Sequence, residues 1–92
     1  MSGPLEGFRV VDLSAMVSGP VATMMLADQG AEVIKVEPLH GEYMRQSGTK
    51  HAGMSSSFLS CNRGKRSLSV DLKSEAGLDI VRKLVRRADV FV

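Results

Sequence analysis

The stretch NRGKRSLSVDLKS, residues 62–74, carries Arg63, Lys65 and Arg66 in quick succession and a further cation, Lys73, at its end. Guanidinium forks and ammonium point charges are the usual means of holding phosphate or carboxylate groups. The alternative reading of the cluster is a solvated turn, and of Lys73 an exposed lysine ahead of a helix. Covalent chemistry needs a nucleophile with a partner that activates it. Ser14 and Ser18 have no histidine near them in sequence, Ser55 to Ser57 read as loop, and Cys61 reads as a half-buried small hydrophobe despite its cationic neighbours. Asp12, Asp28, Asp71, Asp79 and Asp89 each have a capping, helix-surface or turn explanation. No catalytic centre emerges from these residues, and none is assigned.

Composition narrows the field. Ninety-two residues, 43% of them hydrophobic, allow one modest core and at most one domain. A net charge of +2, with basic and acidic residues interleaved, lacks the electrostatic footprint of a nucleic-acid binder. A single cysteine forms no internal disulfide, and with His40 and His51 makes no metal-ligand spacing. No apolar run approaches the roughly 20 residues of a membrane span, and the N-terminus lacks a signal-peptide pattern. The expectation is a soluble, cytoplasmic protein with no metal, nucleic-acid or membrane partner.

The elements that would position these residues alternate strand and helix. FRVVDL, residues 8–13, reads as a largely buried strand. SGPVATMMLADQG follows, with Ser18 able to cap, Pro20 tolerated in a first turn and Gly30 placed to stop a helix over residues 20–29. Val33, Ile34 and Val36 make a second buried strand ended by Pro38. The three form a βαβ unit with parallel strands and a right-handed crossover. Residues 39–57 show no period and read as a long loop. SLSVDL, residues 67–72, alternates as a strand with one wet face. Ser74 is placed to cap a helix carrying Leu78, Val81, Leu84, Val85 and Ala88, and DVFV then opens a further buried strand. A chain finishing on such an apolar run is expected to be part of a longer α/β protein. In parallel α/β sheets, ligands sit beyond the carboxyl ends of the strands, here at residues 14–20, from Glu37 onward, and at 71–74. Neither dinucleotide nor triphosphate glycine signatures occur there.

Taken together, GPLEGFRVVDLS, SGPVATMMLADQGAEVIKVEP, GEYMR, NRGKRSLSVDLKSEAG and ADVFV closely resemble the N-terminal part of family III CoA-transferases, a group that includes formyl-CoA, carnitine and bile-acid CoA-transferases and the related α-methylacyl-CoA racemases. The resemblance implies a Rossmann-like parallel sheet with flanking helices, forming part of a larger coenzyme A-binding domain in an interlocked homodimer. It implies transfer of CoA from an acyl-CoA donor to a small carboxylic acid through an aspartate carboxylate downstream of Val92. Matched position by position, the first loop points to Val17 and Ser18, with Met16 adjacent, as CoA contacts. SVDLK points to Val70, Asp71, Leu72 and Lys73. Met16 and Val17 stand where the transferases often carry a polar His or Gln, which points away from the formyl-CoA subclass, and Pro38 stands where a basic residue often follows VIKVE, leaving phosphate attraction to Lys73, Arg45 or the Arg63 to Arg66 cluster. An acyl-CoA racemase or a non-catalytic CoA-binding unit are the alternatives.

Overall fold

The computed structural model of the protein describes residues 3–15, 18–39, 50–51, 54–55 and 62–92. Four parallel strands form one sheet in the order β5-β2-β1-β6: β1 is Arg9–Asp12, β2 Glu32–Glu37, β5 Arg66–Ser69 and β6 Val90–Phe91. Helix α1, Ser18–Asp28, joins β1 to β2, and α2, Glu75–Arg86, joins β5 to β6. Two-residue strands β3, Lys50–His51, and β4, Met54–Ser55, pair antiparallel. This antiparallel pair falls within the stretch expected to be a long loop.

The strand sequences explain the layers. Side chains alternate across a sheet, so Val10 and Val33 face one side and Val11 and Val36 the other. Val10 and Val33 pack with Ala27 and Ala31, with Leu5 and Leu26 beside them, beneath α1. Val11 and Val36 pack with Val70 and Val81, flanked by Leu68, Leu72 and Leu84, beneath α2. The step from β1 to β2 and the step from β5 across to β6 run in opposite directions over the sheet. Right-handed crossovers therefore place the two helices on opposite faces. Each of the fully buried valines contributes about 1.5–3 kcal/mol.

Helix boundaries follow local chemistry. α1 begins at Ser18, two residues before the expected start, which puts Ser18 inside the helix and Pro20 in its first turn, where a missing N–H costs nothing. It ends in a Schellman arrangement: the Ala31 amide donates to the Leu26 carbonyl at 3.1 Å and Gly30, at φ 103°, donates to Ala27 at 3.0 Å. Ser74 caps α2 as expected, its hydroxyl accepting from the Gly77 amide at 3.0 Å.

Two expectations fail. β5 spans Arg66–Ser69 rather than 67–72. Its partner β2 is followed by Pro38, which has no N–H to continue a ladder, so the pairing stops one bond later, at the Val70 amide on the Glu37 carbonyl, 2.9 Å. β6, expected to be buried, is the outermost of the described strands, and within these 92 residues its Val90 and Phe91, and Val92 after it, are 41%, 56% and 39% exposed. Among the described residues no helix is long and apolar enough to cross a membrane.

Candidate functional site

Because all four strands run the same way, the carboxyl ends of β1, β2 and β5 share one edge of the sheet. Beyond β2 and β5 the chain forms a cleft of about 390 Å³ lined by Pro38, Leu39, Val70, Asp71, Leu72 and Lys73. The segment expected at a ligand from SVDLK is thus brought together there with Pro38 and Leu39. Val70 is buried against α2, Leu72 half-buried over the same cluster, and Asp71 and Lys73 are exposed. The wall is therefore apolar, with a cation at its rim. Lys73 makes no ion pair with any described residue.

This wall is held by its own polar groups. The Asp71 carboxylate accepts from the Lys73 amide at 3.0 Å, an Asx turn, and the Asp71 carbonyl accepts from the Ser74 amide at 3.1 Å and the Ser74 hydroxyl at 2.9 Å. The first turn of α2 presses on this turn so closely that only glycine fits at position 77: a Cβ there would overlap the Asp71 carbonyl oxygen and lie 2.7 Å from its carbon. Ser18 is exposed and does not line the cleft; it opens α1 beyond β1. Val17 and Met16 lie outside the described residues, as do Cys61, His40 and Arg45.

A second constellation lies at the end of β1, under α1. Asp12 is fully buried and its carboxylate meets Lys65 Nζ at 2.8 Å, with only 2% of the Lys65 side chain exposed. Thr23 Oγ1 donates to Asp12 Oδ2 at 2.7 Å, and the amide and hydroxyl of Ser14 both donate to Oδ1. Lys65 also donates to the Pro20 carbonyl at 3.0 Å and to Asn62 Oδ1 at 2.7 Å. Lys35, buried on β2, donates to the Ser14 carbonyl at 3.1 Å, and Ser67 donates to the buried Glu37. Burial pushes the Asp12 carboxyl up, but hydrogen bonds from Lys65, Ser14 and Thr23 outweigh it and hold the group below its ordinary 3.8.

These contacts correct two readings. Asp12 is no simple cap or turn residue, and Lys65 is no part of a solvated turn. Arg63 and Arg66 are exposed, yet neither is uncommitted: Arg63 makes a two-pronged bond to Asp28 at 3.2 and 2.8 Å, which raises its pKa, and Arg66 lies 3.4 Å from Glu32. Arg63, Lys65 and Arg66 thus each face a carboxylate of this chain. A signal for the buried charges was present in the period of two: Asp12 follows Val10 and Lys35 follows Val33 onto the face under α1. Among the described residues no three His, Cys, Asp or Glu side chains come together as a metal site.

Residues 5–92 match the model of CoA-transferase family III. The chain is 48% identical over 91 residues to succinyl-CoA:glutarate CoA-transferase of Mus musculus, covering 97% of this chain and 21% of that protein. It is 43% identical over 91 residues to formyl-CoA:oxalate CoA-transferase of Streptomyces coelicolor, covering 96% and 22%. The crystal structure of a CAIB/BAIF family protein from Brucella suis superposes with a TM-score of 0.92 at 41% identity, over 99% of this chain and 25% of that one. The chain thus spans between a fifth and a quarter of the length of these relatives. Its parallel α/β sheet, and the motifs strung along nearly all of its length, have one common explanation: the chain belongs to CoA-transferase family III.

Proposed function

We propose that this chain supplies coenzyme A-binding elements to an enzyme that moves CoA from an acyl-CoA donor to a small carboxylic acid. Val17, Ser18 and Val70 to Lys73 are the contacts. The observation that carries this reading is the cleft beyond β2 and β5. Its apolar wall of Pro38, Leu39, Val70 and Leu72 suits the flat adenine ring, and exposed Lys73 at the rim suits a phosphate. The mouse and Streptomyces relatives are named for glutarate and oxalate, which supports a carboxylate acceptor here. Asp12, sealed from solvent and paired with Lys65, is not the carboxylate that attacks a thioester.

The test is calorimetric titration of CoA into the full-length polypeptide and its Lys73→Ala variant at several salt concentrations. A hydrogen bond to a charged group contributes about 1.5–3 kcal/mol, so the variant should bind at least about tenfold more weakly. Its affinity should also depend less on salt. Unchanged affinity in a folded variant overturns the assignment.

A further inference from the structure

The two hydrophobic layers account for how the helices sit on the sheet, but not for where the turn between β1 and α1 lies. That turn begins at Ser14, and every polar group of Ser14 is engaged by a buried charged side chain. Its amide and hydroxyl donate to Asp12, and its carbonyl accepts from Lys35. Its side chain lies against the backbone of α1, since a Cβ at Gly19 would come 2.9 Å from Ser14 Oγ. At the far side of the turn, Thr23 and Lys65 hold the first turn of α1. Thr23 Oγ1 reaches Asp12 at 2.7 Å and lies 3.2 Å from the Gly19 and Pro20 carbonyls; Lys65 reaches the Pro20 carbonyl at 3.0 Å.

Lys65 joins all of this to a third segment. An ammonium offers N–H bonds in a tetrahedral fan, and among the described residues Lys65 Nζ reaches acceptors in three places: Asp12 on β1, Pro20 on α1 and Asn62 in the turn before β5. Neither hydrophobic cluster includes any of these residues. Loosening the node therefore frees the turn without unpacking the layers.

We propose that Lys65, acting through Asp12 and the Pro20 carbonyl, is a positioning residue that sets Ser14 and the first turn of α1 for CoA binding. The link to CoA rests on the function proposed above, in which Ser18 touches the ligand; the link to the turn does not. Lys65→Met alone strands a buried carboxylate and endangers the fold. The informative variant is therefore Asp12→Asn with Lys65→Met, which removes both charges together.

The experiment compares this double variant with the wild type, both as full-length polypeptides, by denaturation midpoint, amide hydrogen exchange and CoA titration. The midpoint should stay near the wild-type value. Exchange at Ser14 and at Val21 and Ala22 should quicken at least tenfold while Val33 and Ile34 on β2 stay protected. CoA should bind about tenfold more weakly. Unchanged exchange at Ser14 and α1, or a uniform quickening that includes β2, overturns the positioning role whether or not CoA binds. Local quickening with unchanged CoA affinity overturns the link to the ligand. A wild type that binds no CoA refutes the proposed function, and with it that link, while the exchange result still decides the positioning of the turn.

Discussion

Replacing Gly77 by alanine sets two effects of opposite sign against each other. Gly77 is the third residue of α2, where alanine is favoured by about 1 kcal/mol on helix propensity. Its missing side chain, however, is what lets Asp71 approach. An added Cβ would overlap the Asp71 carbonyl oxygen, stand 2.7 Å from the carbonyl carbon and 3.1 Å from Ser74 Oγ. Ordinary carbon contacts are about 3.5–4.0 Å, so the turn would have to withdraw by about 1 Å. Two hydrogen bonds already at 3.1 and 2.9 Å, from the Ser74 amide and hydroxyl to the Asp71 carbonyl, would then pass out of range. Overpacking of this kind costs about 1–3 kcal/mol and a lost bond about 1 kcal/mol. Clash and the two lost bonds together exceed the propensity gain, and the net loss is about 3 kcal/mol. Guanidinium denaturation should show a lower midpoint with unchanged slope. CoA titration should show weaker binding, because Asp71 lines the cleft. Gly77→Ala as stable as the wild type, or more so, would refute the close approach of Asp71 to α2.

Other consequences are simpler to read. Ser74→Ala removes the cap of α2 and should lower stability by about 1 kcal/mol in the same denaturation assay. Arg63→Ala, which breaks a pair that is largely exposed, should move the midpoint less than Ser74→Ala does. Acid provides a check on Asp12. Its folded pKa lies below its ordinary 3.8, so the folded state binds fewer protons there than the unfolded chain; the stabilisation is complete above that value and is lost as pH falls through the folded pKa. In Asp12→Asn, urea midpoints followed downward from about pH 5 should fall less steeply below pH ~4 than in the wild type. An identical fall would mean that Asp12 has no such shift.

Much of the fold was legible because it rests on local signals. The runs Val10–Val11 and Val33–Val36, the stop at Gly30 and the cap at Ser74 each depend on neighbours a few residues away. The failures are all long-range. Nothing beside Lys65 in sequence reveals that its partner is Asp12, so a lysine between two arginines reads as solvent-exposed. The alternation in SLSVDL continues past Ser69, but a ladder needs a neighbour, and β2 gives out at Pro38. DVFV has the composition of an interior strand, yet among the described residues only β1 pairs with it. For the site, the segment 70–73 was legible only through resemblance to a family. The node that holds the first turn was hinted at by period two alone.

The separation of Lys65 from Asp12, 53 positions, also bears on the order in which the molecule assembles. Thr23 reaches Asp12 across 11 positions, within the β1–α1–β2 unit. Closing a loop grows costlier with the logarithm of its length, so the fivefold longer closure carries roughly 1.4 kcal/mol more entropy. The valine-rich crossover can form first, with Asp12 still solvated and its cation arriving late. A contact made after the rate-limiting step slows escape from the native state and leaves the folding rate alone. In a chevron plot the single change Lys65→Met, which leaves the Asp12 carboxylate buried and unpaired, should therefore appear on the unfolding limb. The ammonium that shapes the turn would then also act as a latch, fastened last and deciding how long the closed domain survives.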